Sequence, residues 1–320
     1  MIQHLKALPE QTSAEFPQAI RQVVEQISEP EEALRGILRL PQIEHSIRFC
    51  ALYGVLLRLR REERHSEYEH TVVAHTKLFG KEPYFPTFLA IIERNRGDVA
   101  SLRKAVEYSR RAARDMPDVA GVVHQLAAFM AEYLERREES PTVKDLEEAE
   151  HCADSAITST NGRIAHYHET KARILALRRE FDSARISVTR AIELEPRQAR
   201  DYHRRLMQYQ TTRMRIDMME QQARWHEMQE GNKRELTEFK NQQLQLLGLL
   251  AAVVALIAAG ANIASQSKPS DGVLLIEVMA GAVVIVFSAF SLMAARSLWR
   301  VLVGFAAGLA LILIPHIFGR

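Results

Sequence analysis

Three long apolar runs close the chain, and they limit its folds more than any other feature. The first runs from Leu244 to Ala264 without a charge, the second from Val273 to Ala295 with Glu277 as its one charge, and the third from Val301 to Phe318. Each is about the length of a helix that crosses a hydrocarbon core roughly 30 Å thick. Lipid satisfies no backbone polar group, so a spanning segment is a helix or part of a closed barrel. None of the runs alternates with period two, which predicts helices. The chain is expected to end in a three-helix transmembrane segment over 244–320 (about 244–264, 273–295 and 301–318).

Flanking charges orient these spans. Lys233, Arg234 and Lys240 precede the first, Arg296 and Arg300 separate the second from the third, and Lys268 and Asp271 cancel between the first two. The positive-inside rule predicts the N-terminal domain and the 296–300 turn in the cytoplasm, with the 265–272 loop and Arg320 outside. The expected location is the inner (cytoplasmic) membrane, multi-pass. Ala251, Ala255 and Ala259 recur at four-residue spacing, and Gly304 with Gly308 forms GxxxG. Such small faces let helix backbones approach closely. Packing of the spans on one another is the favoured use, and association of chains into a homo-oligomer is the other. Glu277 is expected to snorkel to the interface.

Residues 1–243 hold 38 basic and 38 acidic residues. That balance argues against a nucleic-acid partner, which needs a net basic footprint. Two cysteines, Cys50 and Cys152, make neither a disulfide framework nor a zinc spacing. The N-terminus lacks the apolar core of a signal peptide. Residues 1–85 read as helices alone. Phe16, Ala19, Ile20, Val23, Val24 and Ile27 form one apolar stripe. Ser28 with Pro30 and Glu31 opens the next helix, and Pro41 stops it. Further helices are expected over 43–59 and 66–78.

From Pro86 the pattern repeats. Leu102, Ala105, Ser109, Ala112 and Pro117 recur in kind as Phe181, Ala184, Val188, Ala191 and Pro196. The second set, FDSARISVTRAIELEP, resembles the second helix of a tetratricopeptide repeat (TPR). Ala172 and Leu175 stand where that family has its contact residues in the preceding helix. Two antiparallel helices cross closely only where side chains are small, and proline ends the second helix. A middle copy carries Ala127 and Met130, then Ala149, Ala153 and Ala156. Between them Ser140–Pro141 is expected to restart the helix as N-cap and early proline. The repeats read as 86–119, 120–162 and 163–196, with a degenerate copy over 52–85. The resemblance implies an all-α, TPR-like solenoid over 86–196 whose concave surface takes a protein or peptide partner.

A proline-free stretch follows Pro196. Ala199, Tyr202, Leu206, Tyr209, Ile216 and Ala223 keep a helical spacing. The first half of 197–243 is expected to cap the repeats, and the rest is open between such capping and a short coiled coil between chains. Unbroken to the end of the first span, this helix would measure about 100 Å. Gly231–Asn232 is the expected break.

The chain has no phosphate-binding glycine loop, no GxSxG and no HExxH. Two ExxH pairs, Glu67 with His70 and Glu148 with His151, have the spacing of di-iron ligands, yet read as chance pairs in charged helices. Arg58, Arg60, Arg61 and Arg64 alternate with Glu62, Glu63 and Glu67, which predicts a solvated face held by helical ion pairs. The expectation is a non-enzymatic scaffold with no metal and no cofactor. A helical array joined to a short C-terminal membrane bundle also resembles sensor–effector proteins of bacterial stress and phage defence. That resemblance implies the alternative, a chain that oligomerises and perturbs the membrane.

Overall fold

The computed structural model describes residues 1–26, 30–198, 201–266, 276–286, 288 and 298–318. Every regular element among them is helical, so the chain is all-α. It divides into two compact units, Met1–Arg224 and Trp225–Arg320. Ser28, Ala199, Arg296, Arg320, residues 267–272 of the expected outer loop and both ends of the second apolar run lie outside the described residues.

The first unit opens with α1 (Ile2–Lys6), α2 (Phe16–Glu25), α3 (Pro30–Arg39), α4 (His45–Arg61) and α5 (His65–Phe79). An aromatic cluster fixes its core. Tyr53 meets Phe16, Tyr84 and Phe88 edge-on, with ring centroids 5.5, 5.1 and 5.6 Å away. Such T-shaped contacts add to the area these rings bury. Gly54 lets α4 press close, since a Cβ there would lie 2.8 Å from a methyl of Leu34.

Three helix pairs follow: α6 (Phe85–Arg96) with α7 (Val99–Asp115), α8 (Ala120–Arg136) with α9 (Val143–Ser159), and α10 (Ala165–Leu177) with α11 (Phe181–Leu194). Gly97 ends α6 with φ +79°, a left-handed conformation that costs any residue with a Cβ. Asp98 then caps α7, accepting from the Ser101 N–H at 2.8 Å. A two-residue connection of this kind can only reverse the chain. The pairs stack in succession with a constant stagger. Arg94–Glu132, Arg110–Glu148 and Arg173–Glu135 all join residues 38 apart, at 2.9, 2.6 and 2.9 Å.

Close approach within and between pairs rests on small residues. Ala105, Ala112, Ala149, Ala156, Ala172, Ala184 and Ala191 are completely buried. Phe181 is half-buried, and Pro117 and Pro196 sit exposed just beyond α7 and α11. The expected cap at Ser140 is corrected. α9 begins at Val143 and is capped by Thr142, whose hydroxyl accepts from the Asp145 N–H at 3.2 Å. Ser140 instead presents its carbonyl to Arg137, at 2.8 Å.

The last helix of this unit, α12, runs from Tyr202 to Gln266. Tyr209, Thr212 and Ile216 turn one buried face inward, and Tyr209 and Ile216 join Ala172, Ala184 and Ala191 in one apolar cluster. The Tyr209 hydroxyl donates to the buried Glu195 carboxylate at 2.7 Å. The break expected at Gly231–Asn232 does not occur, because the helix passes through both. A lone glycine costs a helix only about 1 kcal/mol relative to alanine, and good helix formers flank it.

In the second unit α12 continues with Trp225, Met228, Leu236 and Phe239 all more than half exposed. It then becomes a helix long and apolar enough to cross a membrane, and only 6% of its apolar window is buried. Two further apolar helices are α13 (Ile276–Val286) and α14 (Leu298–Phe318). Gly281 and Gly308 bring these two together: a Cβ on either would lie 2.8 or 2.9 Å from the other's carbonyl oxygen. Gly304 faces Ser288 and Gly260 faces Met279 as closely. Ala251, Ala255 and Ala259, expected to pack against the other spans, are exposed. The covered arc of α12 is Val253, Leu256 and Gly260, and 100° per residue puts the alanines on a different arc. Glu277 is exposed at the start of α13.

Ala184→Leu is expected to lower stability by about 1–3 kcal/mol, because the added carbons have no space between α10 and α11. Ile186→Ala, at a side chain 72% exposed two residues away, should change it by less than about 0.5 kcal/mol. Thermal unfolding of the full chain in mild detergent, followed by circular dichroism, compares the two.

Candidate functional site

A polar-rimmed cavity of about 80 Å³ opens in the first unit where α2, α4, α5, α6 and the start of α8 meet. The aromatic core supplies its walls, Tyr53, Tyr84 and Phe88. Their mutual edge contacts hold them without help from a ligand. Tyr68 reaches in from α5. It is 2% exposed, and its hydroxyl has no hydrogen-bond partner. A buried donor left unmatched costs free energy, so such a group calls for an explanation.

Arg21 from α2 and Arg60 from α4 line the same cavity, and no carboxylate does. The neighbouring arginines are engaged: Arg58 with Glu62, Arg61 with Glu25, and Arg64 with Glu31, Glu62 and Glu67. Arg21 and Arg60 have no ion-pair partner among the described residues. The sequence reading of the whole cluster as paired is therefore corrected at Arg60. One helical turn aims Arg58 at Glu62, while Arg60 faces the cavity instead.

The first turn of α8 completes the rim through Gly121. Its N-cap residue, Val119, has no side-chain acceptor; its carbonyl takes the Val122 N–H at 2.8 Å, and no side-chain oxygen caps the N–H groups of Ala120 and Gly121. A Cβ on Gly121 would touch only the Tyr167 hydroxyl, at 3.8 Å. Gln125, one turn on, donates to the Thr87 carbonyl at 3.0 Å and locks α8 to α6.

Beside the cavity three rings stack across α8 and α10. Tyr167 lies flat on His124 at 4.1 Å, and His166 meets both edge-on at 4.9 and 4.7 Å. His124 pairs with the Thr170 hydroxyl at 2.9 Å. Burial, then the charges of Arg205, Arg21 and Arg60, pushes His166 down to about 3. Burial, then His166 itself, holds His124 well below the ordinary imidazole value. Burial likewise raises Tyr68 and Tyr84 above the usual phenol range. His124, His166, Tyr68 and Tyr84 are therefore neutral at pH 7, and the cavity's charged lining residues are the two arginines.

Apart from Arg60, the residues singled out from sequence as packing or ligand candidates lie elsewhere. The repeat alanines sit between helices, Gly304 and Gly308 lie in the second unit, and none lines this cavity. The ExxH carboxylates are held by arginines, Glu67 by Arg64 and Glu148 by Arg110. No three metal-ligating side chains converge among the described residues. Arg21, Tyr53, Tyr68, Tyr84 and Gly121 were not read as site residues. Their common signal, polar groups interrupting an apolar helix face, is too weak to group residues so far apart in the chain. No family model and no curated protein matches the chain.

Neutral histidines tie stability to pH. Their folded values lie below the unfolded value near 6.5, so the unfolded chain takes up protons first as pH falls. Stability is then lost below pH 6.5, by about 1.4 kcal/mol per pH unit for each imidazole kept neutral. Between pH 7 and 5 the melting temperature of the native chain should fall more steeply than that of a His124→Gln/His166→Gln variant. Parallel slopes would contradict the assignment.

Proposed function

We propose that the chain is a non-enzymatic, membrane-tethered scaffold whose TPR-like array docks a protein or peptide segment at the cytoplasmic face of the inner membrane. The observation that carries this reading is the carboxylate-free, tyrosine-walled cavity, which is lined by five helices of the first unit, α2, α4, α5, α6 and α8. Stacked helix pairs offer an extended, concave surface and no intrinsic chemistry. Rigid tyrosines with arginines at the rim are the residue types that dominate binding energy at protein interfaces. The apolar helices α12, α13 and α14 serve as a multi-pass anchor, with GxxxG-type contacts packing them.

The test is recovery of partners from native membranes in mild detergent after crosslinking. A protein captured in fixed ratio by the native chain, and lost with Arg21→Glu/Arg60→Glu while the melting temperature holds, supports the reading. Unchanged recovery by that variant argues against it.

A second reading is favoured by the uncovered face of Ala251, Ala255 and Ala259. Small residues on an open arc suit close association of copies. In that reading the array senses a signal, the copies cluster through this face, and the membrane leaks. Induced expression would then depolarise cells, and Ala255→Leu would abolish the effect. Polarised cells under all conditions favour the scaffold.

A further inference from the structure

The geometry points to the α4–α6–α8 cavity as an oxyanion pocket that takes the phosphoryl group of a phosphate monoester. The inference rests on the docking reading above and names the group that would anchor the docked segment.

Three kinds of hydrogen-bond donor stand among the groups that line the pocket. Arg21 and Arg60 bring two guanidinium forks with no ion-pair partner among the described residues. Tyr68 brings a phenol hydroxyl that is buried and unpartnered. The first turn of α8, a 17-residue helix with no side-chain cap, brings backbone N–H groups and the positive end of its dipole at Gly121. No lining residue carries a negative charge to repel an anion or to pair with the arginines in its absence.

Shape decides between oxyanions. A carboxylate offers two oxygens in one plane. A phosphoryl group offers three terminal oxygens and up to two charges, and it can accept from donors on several sides at once. Here the donors come from four different helices, α2, α4, α5 and α8. Guanidinium forks match phosphate oxygens in pairs. The volume of about 80 Å³ holds a compact head group and leaves a nucleoside outside. Tyr53, Tyr84 and Phe88 would then lie against the carbon side of the ester.

Isothermal titration of the full chain in detergent tests this with three probes: inorganic phosphate, phenyl phosphate and benzoate. Both phosphates should bind saturably and compete, and benzoate should not. Arg21→Gln and Arg60→Gln should each weaken phenyl phosphate about tenfold. Tyr68→Phe should weaken it about threefold, without lowering the melting temperature, since that hydroxyl has no partner to lose. Phenyl phosphate binding tighter than inorganic phosphate assigns the pocket to an esterified group on a partner. The reverse order assigns it to the free ion. The proposal is overturned if neither phosphate gives saturable heat, if benzoate binds as well, or if the double arginine variant binds unchanged.

The two readings fail separately. Loss of partner recovery in Arg21→Glu/Arg60→Glu with no phosphate binding by the native chain sinks the phosphoryl assignment alone. Phosphate binding with partner recovery untouched by the variant sinks docking and leaves a small-anion site.

Discussion

A helix that is apolar on every side and packed on almost none of them cannot rest in water. That constraint governs the second unit. Burying a side chain such as leucine is worth about 1.5–3 kcal/mol, and α12 leaves Leu244, Leu246, Leu247, Leu250, Val254 and Ile257 more than half exposed. Something must cover this surface. A bilayer, the cover proposed above, would do so without a partner of matching shape, because lipid tails conform to any apolar relief. In that proposal the glycine contacts between α13 and α14 have a clear purpose. In lipid no hydrophobic force gathers helices, so close backbone contact must do it.

The first unit meets the opposite problem. Its helices are amphipathic and charged, and it buries its apolar surface by stacking helix pairs. Alanines at the crossings set the spacing, and arginine–glutamate pairs 38 residues apart fix the stagger. These pairs are partly buried, Arg173–Glu135 most of all, and together they select one register. The first part of α12 closes the stack with Tyr209 and Ile216. The cavity is what remains where the N-terminal helices, α6 and the start of α8 do not fill the space between them.

Periodicity made much of this fold legible. Proline follows α7 and α11 as the pattern suggested, whereas Gly97 and Asp98, which end α6 and cap α7, were not read from it. Such signals are local, and local chemistry decides helix ends. What pattern could not reveal is which faces meet. Ala251, Ala255 and Ala259 have the spacing of a packing face, yet α13 contacts the Gly260 arc. Arg60 sits among paired arginines in sequence but lines the same cavity as Tyr68 in space. The site joins residues 21, 60, 68 and 121, and only tertiary stacking brings such distant positions together. Thr142 and Gly231 show a third limit, where two competing local choices differ by about 1 kcal/mol.

The central claim is that α12 leaves water for lipid partway along its length. Accessibility of single cysteines in membranes open to both faces tests it most directly. With Cys50 and Cys152 replaced by serine, Met228→Cys and Val254→Cys would each be treated with a charged maleimide. Both positions are more than half exposed on the isolated chain, at 58% each. The account predicts fast labelling at 228 and none at 254 until detergent is added. Equal labelling at both positions in intact membranes would contradict it.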